Sequence, residues 1–229
     1  MKRLLKKTRY ISLLLGLCLI GCTAPKKVDA NALMDWIHTQ ANTNSIEIGI
    51  TDSTNQEETT INLWKKEGKS YGAWKNSETN DTSQYTAPTL QIAKEENGER
   101  KTILFTQVED GYVVDLIENE QAPEELFTQT IASLFAPALI NDRQKYTLDP
   151  SYSIQKQDDR YTIQSEDTQT WTYQINTKSE TIQTKRPTGE KIETQLEANK
   201  APSQTTKKQI ETLLEDPSLQ EGSMIHFGS

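Results

Sequence analysis

The sequence predicts an α+β fold, in which a strongly curved, half-barrel-like antiparallel β-sheet carries helices packed on one face. Three segments repeat apolar residues at helical spacing, over 29–41, from Pro123 onward and over 205–215. Between them, apolar and polar residues alternate with a period of two, which is typical of half-buried strands. Short turns between these strands favour antiparallel pairing, and a sheet with so many strands must curl.

The first helix is predicted over residues 29–41, with Asp29 or Asn31 available to cap its start. Because its apolar residues recur three or four positions apart, they form one face, and Trp36 widens that face. Such a stripe is typical of a packing surface. Its main members are Leu33, Met34, Ile37 and Ala41.

The first group of strands follows this helix. Ile46, Ile48 and Ile50 alternate with polar or small residues, and Ile61 and Leu63 restart the pattern. Glycine-containing pairs supply the chemistry of tight hairpin turns. These turns are predicted at Glu67-Gly68, Asn97-Gly98 and Asp110-Gly111, and the later strands at 71–75, 89–93, 102–108 and 112–117.

A second helix begins at Pro123, where the missing N–H of proline is harmless, and Glu124 and Glu125 favour the positive end of the helix dipole. Pro137 is expected to kink or end it. The helix therefore presents one apolar face to the sheet. That face comprises Phe127, Ile131, Leu134, Phe135 and Ala138.

A second group of strands and a closing helix complete the predicted domain. Trp171, Tyr173 and Ile175 alternate with polar residues and give the clearest half-buried strand. The closing helix, 205–215, ends before Pro217, and residues 218–229 are expected to be a flexible tail. The strands of this group are predicted at 152–155, 160–164, 170–175, 181–185 and 191–196, and the closing helix presents Ile210, Leu213 and Leu214.

Residues 1–21 have the parts of a secretion signal, with a basic start and an uncharged apolar core. Leu19-Ile20-Gly21-Cys22 resembles the lipobox of bacterial lipoproteins. The resemblance implies cleavage after Gly21, diacylglycerol on Cys22 and attachment to the extracytoplasmic face of the cell membrane. Residues 22–28 would then be a lipidated tether and 29–217 a single domain. The alternatives are an uncleaved anchor or an ordinary secretory signal.

Cysteine content and charge exclude several classes. Both cysteines, Cys18 and Cys22, lie in the leader and lipobox, so the body of the chain has neither a disulfide nor a cysteine nucleophile. Without the leader, 20 Lys and Arg remain against 33 Asp and Glu, a net charge of about −13. Nucleic acid is therefore not an expected partner. Low cysteine use is compatible with a Gram-positive surface, which we favour.

The order of elements, with hairpins such as 171–176 running to 181–182, resembles the LolA and LppX-like envelope carriers. The resemblance implies a half-barrel sheet that holds a lipid or lipoprotein chain over a helical lid. It carries over no individual functional residue.

Catalytic and metal sites are not expected. Gly68-Lys69-Ser70-Tyr71-Gly72 fits the G-x-S-x-G nucleophile pattern, but that chemistry needs a strand before the serine and a helix after it. Here strands are predicted on both sides. His38 lies on a packing helix and His226 in the expected tail, and two distant histidines do not make a usual zinc set. We predict a non-enzymatic protein whose one attached group is the diacylglycerol.

Three functional hypotheses remain. The first is a lipoprotein that binds a hydrophobic or lipid-like ligand or an envelope protein, which requires an apolar cavity. The second is a structural or interaction lipoprotein with a filled core. The third is a peptide pheromone cut from the leader at 14–21. The candidate ligand or partner contacts are the aromatic residues Trp64, Trp74, Tyr112, Phe127, Trp171 and Tyr173.

Overall fold

The structure is a computed structural model that describes residues 26–27, 30–78, 89–96, 98–108, 111–118, 122–142, 145–165, 167, 170–215 and 222–226. The predicted leader, the cleavage site at Gly21 and the lipidation site at Cys22 lie outside these residues. No helix in the described ranges is both long and apolar enough to cross a membrane.

The described residues form three helices and fifteen strands. The helices are α1 (Asn31–Ala41), α2 (Glu125–Ser133) and α3 (Gln204–Glu215). The strands are β1 (Lys26–Lys27), β2 (Ser45–Asp52), β3 (Glu57–Lys66), β4 (Lys69–Glu78), β5 (Thr89–Glu96), β6 (Glu99–Val108), β7 (Gly111–Glu118), β8 (Leu139–Asp142), β9 (Lys145–Leu148), β10 (Tyr152–Gln157), β11 (Arg160–Ser165), β12 (Thr172–Asn176), β13 (Thr181–Lys185), β14 (Lys191–Ala198) and β15 (Met224–His226).

Thirteen of these strands form one antiparallel sheet, in the order β1-β10-β11-β12-β13-β14-β2-β3-β4-β5-β6-β7-β15. It consists of two meanders, β2 to β7 and β10 to β14. They join where β14 pairs with β2, with Thr194 opposite Ile50. In the described ranges the sheet is open, with β1 and β15 at its edges. The predicted α+β class with an antiparallel sheet is confirmed.

The helices lie on opposite faces of this sheet. Leu63 and Trp64 are neighbours in β3 and pair in regular register with Gly72 and Tyr71 of β4, so their side chains point to opposite faces. Leu63 packs in one core with α1 and α2, whereas Trp64 packs in another with α3. The expectation that the helices share one face is therefore wrong, because β3 is buried on both faces.

We call the two cores the first and the second core. The first core is the larger and fills the space between α1, α2 and the sheet. It includes the fully buried Leu33, Ile37, Ile46, Ile48, Leu63, Phe127, Ile131, Phe135, Ile163, Tyr173, Ile182 and Leu196. The second core lies between α3 and strands β3 to β7, and β15 also contributes. It includes Trp64, Tyr71, Leu90, Ile92, Phe105, Tyr112, Val114, Ile210, Leu213 and Ile225.

Both ends of the described chain depart from the prediction. Lys26 and Lys27 form an edge strand opposite Lys156 and Gln155, where a free tether was expected. Residues 224–226 pair with β7 and Ile225 is buried, so the expected loose tail is corrected there. Such edge strands satisfy backbone groups that the sheet would otherwise leave unpaired. They are too short for the alternation that reveals a strand.

Smaller corrections concern α1, α2 and one missed hairpin. The N-cap position of α1 is Ala30, so neither Asp29 nor Asn31 occupies it. Helix α2 ends at Ser133, before Pro137, and a series of turns brings Phe135 and Ala138 into the first core. The short strands β8 and β9 form a separate two-stranded sheet that the sequence did not predict.

A buried carboxylate stabilises the turn between β2 and β3. Oδ1 of Asp52 accepts hydrogen bonds from the backbone N–H groups of Thr54 (3.0 Å) and Asn55 (3.2 Å), and Oδ2 accepts one from Nδ2 of Asn55 (3.0 Å). Burial alone would raise the pKa of Asp52. These hydrogen bonds and the Arg186 guanidinium outweigh burial and hold the pKa below its ordinary value.

We expect Asp52→Ala to lower the free energy of unfolding by about 1–3 kcal/mol at pH 7, because it removes the charged acceptor of three part-buried hydrogen bonds. Asp52→Asn keeps an acceptor and should cost less. Because the folded pKa is depressed, the stabilisation by the charge is present above about pH 4 and is lost as the pH falls through the folded value. Urea unfolding of wild type and Asp52→Asn at pH 7 and pH 3 measures how the stabilisation depends on pH. A gap between wild type and Asp52→Asn that is equally wide at both pH values would contradict it.

Candidate functional site

The six aromatic residues predicted as ligand or partner contacts do not form one site. Trp64 and Tyr112 are buried in the second core, and Phe127 and Tyr173 in the first. Trp74 and Trp171 are partly buried against the first core. The sheet therefore separates the six, and most of them serve as packing residues. Trp64 alone among them also lines one of the two described cavities.

Two of the buried tyrosine hydroxyls, those of Tyr112 and Tyr173, form hydrogen bonds within the fold. Tyr112 accepts a hydrogen bond from Nε2 of Gln209 on α3 (3.0 Å), and burial raises the pKa of Tyr112 to about 12. The Tyr173 hydroxyl donates to the carbonyl oxygen of Ala136 (2.5 Å), and burial raises its pKa as well. Both phenols are therefore neutral at pH 7 and link the helical side of each core to the sheet.

The segment 68–72 forms a hairpin, in agreement with strands on both sides of the serine. Glu67 and Gly68 occupy the β3–β4 turn with φ of 54° and 73°, and Ser70 lies within β4 and is only 2% exposed. A nucleophile elbow requires an exposed serine between a strand and a helix. The His38 ring packs 4.9 Å from that of Tyr146. Within the described ranges, no three His, Asp or Glu side chains are grouped as for a metal ion.

One cavity, of about 450 Å³, lies where the start of α3 crosses the β3–β4 hairpin. We call it the aromatic cleft. Trp64 and Tyr71 face each other across the two strands, and their rings stack with centroids 5.3 Å apart and planes 8° apart. Cross-strand aromatic pairs of this kind stabilise a hairpin and provide a flat apolar surface. The remaining lining residues are Asn44, Ser45, Lys65, Lys66, Ala201, Pro202, Gln204, Lys207, Ile210 and Glu211.

The edge of the aromatic cleft is charged. Nζ of Lys66 lies 3.3 Å from Oε1 of Glu211, and this hydrogen bond raises the pKa of Lys66. Burial raises the pKa of Tyr71. Lys207, one turn before Glu211 on α3, adds a second cation. The cleft thus offers an apolar aromatic surface with lysines at its edge, which suits a ligand with an apolar part and an anionic part.

A second cavity, of about 430 Å³, lies on the sheet at strands β10 to β13. We call it the amide groove, because amide and hydroxyl side chains dominate its lining. Arg160 is the cation on this face, because Lys156 alternates with Gln155 and Gln157 and its Nζ lies 4.8 Å from the centroid of the Tyr161 ring on the other face. None of the lining residues is a carboxylate. The lining residues are Gln155, Lys156, Gln157, Arg160, Tyr161, Thr162, Gln174, Ile175, Asn176, Thr181 and Gln183.

No protein-family model and no curated protein matches the chain. The functional interpretation therefore depends on the two cavities and on the sequence.

Sequence reasoning identified one residue of the aromatic cleft, Trp64, and did not identify its partners. Tyr71, Lys66 and Lys207 come from the hairpin and from α3, which lie far apart in the sequence. The alternation of Ile61 and Leu63 with polar residues predicted a strand, but it did not show that α3 crosses this strand. The amide groove was missed because a polar sheet face resembles ordinary solvent-exposed surface.

Proposed function

We propose that the protein is a non-enzymatic lipoprotein, anchored by diacylglycerol on Cys22 at the extracytoplasmic face of a cell membrane, which binds a lipid-like ligand in the aromatic cleft. The lipobox residues support the anchor. The stacked Trp64 and Tyr71, with lysines beside them, carry the ligand proposal. A Gram-positive surface and the half-barrel curvature of LolA-like carriers belong to the same proposal.

The cleft fits an amphiphile better than a fully apolar chain. Its volume of about 450 Å³ is that of a small-molecule site. Trp64, Tyr71 and Ile210 give apolar contact, while the ammonium groups of Lys66 and Lys207 favour a phosphate or carboxylate. The ion pair between Lys66 and Glu211 is exposed, so an anion can compete for Lys66 at little cost.

Native mass spectrometry of the chain purified gently from its own cells tests this proposal, followed by organic extraction of the bound material. We expect a stoichiometric lipid-sized adduct in addition to the covalent mass on Cys22. An apo mass that persists after incubation with membrane lipids would contradict ligand binding, and a Cys22 peptide without diacylglycerol would contradict the anchor.

Filling the cleft should remove the ligand without disturbing the core. Ala201 is exposed and lines the cleft, so Ala201→Trp places an indole over Trp64 and Tyr71. We expect ligand affinity to fall about tenfold or more, equivalent to about 1.4 kcal/mol. The matched control is Ala32→Trp, at an exposed position of α1 outside the cleft. Equal ligand occupancy in both variants would place the ligand elsewhere.

A second candidate is a structural or interaction lipoprotein without a small ligand. The filled first core favours it, because α1 and α2 occupy the face where a LolA-like carrier would hold its lipid. In this case the chain acts through its polar surface on another envelope protein. Cross-linking on intact cells, with wild type and Ala201→Trp compared, distinguishes the two, since only the carrier role requires an open cleft.

A further inference from the structure

The short strand β1 fixes where the membrane anchor meets the domain. Lys26 pairs with Lys156 and Lys27 with Gln155, so the chain is held at the edge of β10 only four residues after Cys22. Four extended residues reach about 14 Å at most. If Cys22 carries the lipid, as proposed above, this edge of the sheet stays close to the headgroups. The following inference rests on that anchor.

The pairing also shows at which end of the sheet β1 begins. β1 runs antiparallel to β10, so its first residue, Lys26, lies nearer than Lys27 to the turn at Asp158-Asp159. The last cross-strand row before the turns of this end is Gln157, Arg160, Asn176 and Thr181. All four line the amide groove. The groove therefore lies at the end of the sheet where β1 begins.

The chemistry of the amide groove suits an anion that also carries hydroxyl groups. A second row, Gln155, Thr162, Gln174 and Gln183, lies behind the first on the same face. Amide and hydroxyl groups both donate and accept hydrogen bonds, as recognition of a polyol requires. Arg160 can bind a phosphate through two parallel N–H groups.

The charge of the groove contrasts with that of the rest of the chain. The mature chain has 20 basic against 33 acidic residues, yet the groove contains the Arg160 guanidinium and no carboxylate. Asp158 and Asp159 lie in the adjacent turn, and Asp159 interacts with Lys156. These aspartates weaken the positive potential, so the groove fits a singly charged phosphodiester better than a multiply charged phosphate.

We propose that the amide groove binds the phosphodiester and glycerol headgroup of an anionic phospholipid in the leaflet that holds Cys22. Arg160 contacts the phosphate, and the amide rows contact the glycerol hydroxyls. The domain is then attached to the membrane at two points and takes one orientation on it.

Hydrogen exchange of the full lipidated chain in nanodiscs tests this proposal. One set of discs contains phosphatidylcholine alone, and the other contains about 30 mol% phosphatidylglycerol, an anionic lipid. We expect phosphatidylglycerol to slow exchange about threefold or more in peptides from 155–164 and 174–183, and to leave β5 to β7 unchanged. Equal exchange in the two kinds of disc would overturn the proposal.

Charge variants show which residues cause the slower exchange with phosphatidylglycerol. The variant Arg160→Gln should lose the dependence on phosphatidylglycerol, and unchanged exchange in phosphatidylcholine discs shows that it still folds. The matched control, Lys185→Gln, removes one exposed cation at the opposite end of β13, on the same face of the sheet, and should behave as wild type. Dependence retained in the groove variant, or lost in the control, would contradict the proposed contacts.

Two further exchange experiments identify which molecule supplies the headgroup. If soluble glycerol phosphate slows exchange in the groove as much as phosphatidylglycerol does, the lipid assignment is wrong. If a neutral sugar-headed lipid does so, the groove recognises hydroxyls without the charge. The proposed lipid anchor is tested separately, because a Cys22 peptide without diacylglycerol would contradict it. In that case, cosedimentation of the chain with phosphatidylglycerol vesicles, with wild type and groove variant compared, decides the groove proposal.

Discussion

Replacing Phe127 by alanine is expected to lower the free energy of unfolding by about 3–5 kcal/mol, because the change leaves a cavity among rigid neighbours. The Phe127 ring is fully buried in the first core, on the face of α2 that packs against α1 and the sheet. Nζ of Lys65 lies 4.5 Å from the ring centroid. Removing the ring therefore also exposes a half-buried lysine to a void. Equilibrium unfolding in urea measures the loss.

The size of this loss also tests the role of Phe127. The control, Phe127→Leu, keeps most of the buried volume and should cost distinctly less. A residue that lines an open ligand cavity has fewer packing partners than a core residue. A loss below about 1 kcal/mol for the alanine variant would contradict the core assignment and restore Phe127 as a ligand contact.

Replacing Gly72 by alanine is expected to destabilise the protein by about 2 kcal/mol through overpacking. A Cβ at this position would lie 2.3 Å from Cη2 of Trp74 and 3.2 Å from Cδ2 of Leu63. The indole of Trp74 lies across Gly72 and packs against the first core, so it can give way only by moving as a whole ring. Thermal and urea unfolding measure the effect.

Gly49→Ala is the matched control, since Gly49 also lies in a central strand but has no atom within 4 Å of an added Cβ. It should be neutral or slightly stabilising, because alanine reduces the entropy of the unfolded chain. Gly72→Ala combined with Trp74→Ala should cost less than the sum of the two single changes. Strict additivity would show that the contact with Trp74 is not the cause.

Local patterns predicted most of the elements, because each element repeats its own signal. The alternation of Trp171, Tyr173 and Ile175 identified β12, and the Glu67-Gly68 turn identified the β3–β4 hairpin. These local patterns did not predict on which face of the sheet each helix packs. The sequence contained one signal that β3 is covered on both faces, which is the apolar pair Leu63 and Trp64. A strand with one solvent-exposed face alternates strictly between apolar and polar residues.

The candidate sites depended even more on tertiary structure. Trp64 was identified as an aromatic residue of a strand, but the cleft exists because α3 returns from the far end of the sequence and crosses it. The amide groove arises from residues on four different strands, and most of them, taken alone, are ordinary surface amides or hydroxyls. The spacing of residues within one segment of the sequence therefore predicts neither the cleft nor the groove.

The pairing of β14 with β2 has a consequence for the order of folding. The strands β2 to β7 are neighbours in sequence and can assemble as soon as they have been synthesised. One edge of β2 is completed only when residues 191–198 arrive. Until then its eight residues present unpaired backbone groups to any other extended chain, and such edges promote aggregation. The slow, non-local step in the maturation of this protein is therefore the closing of this seam, and a chain cut short before Lys191 would leave it permanently open.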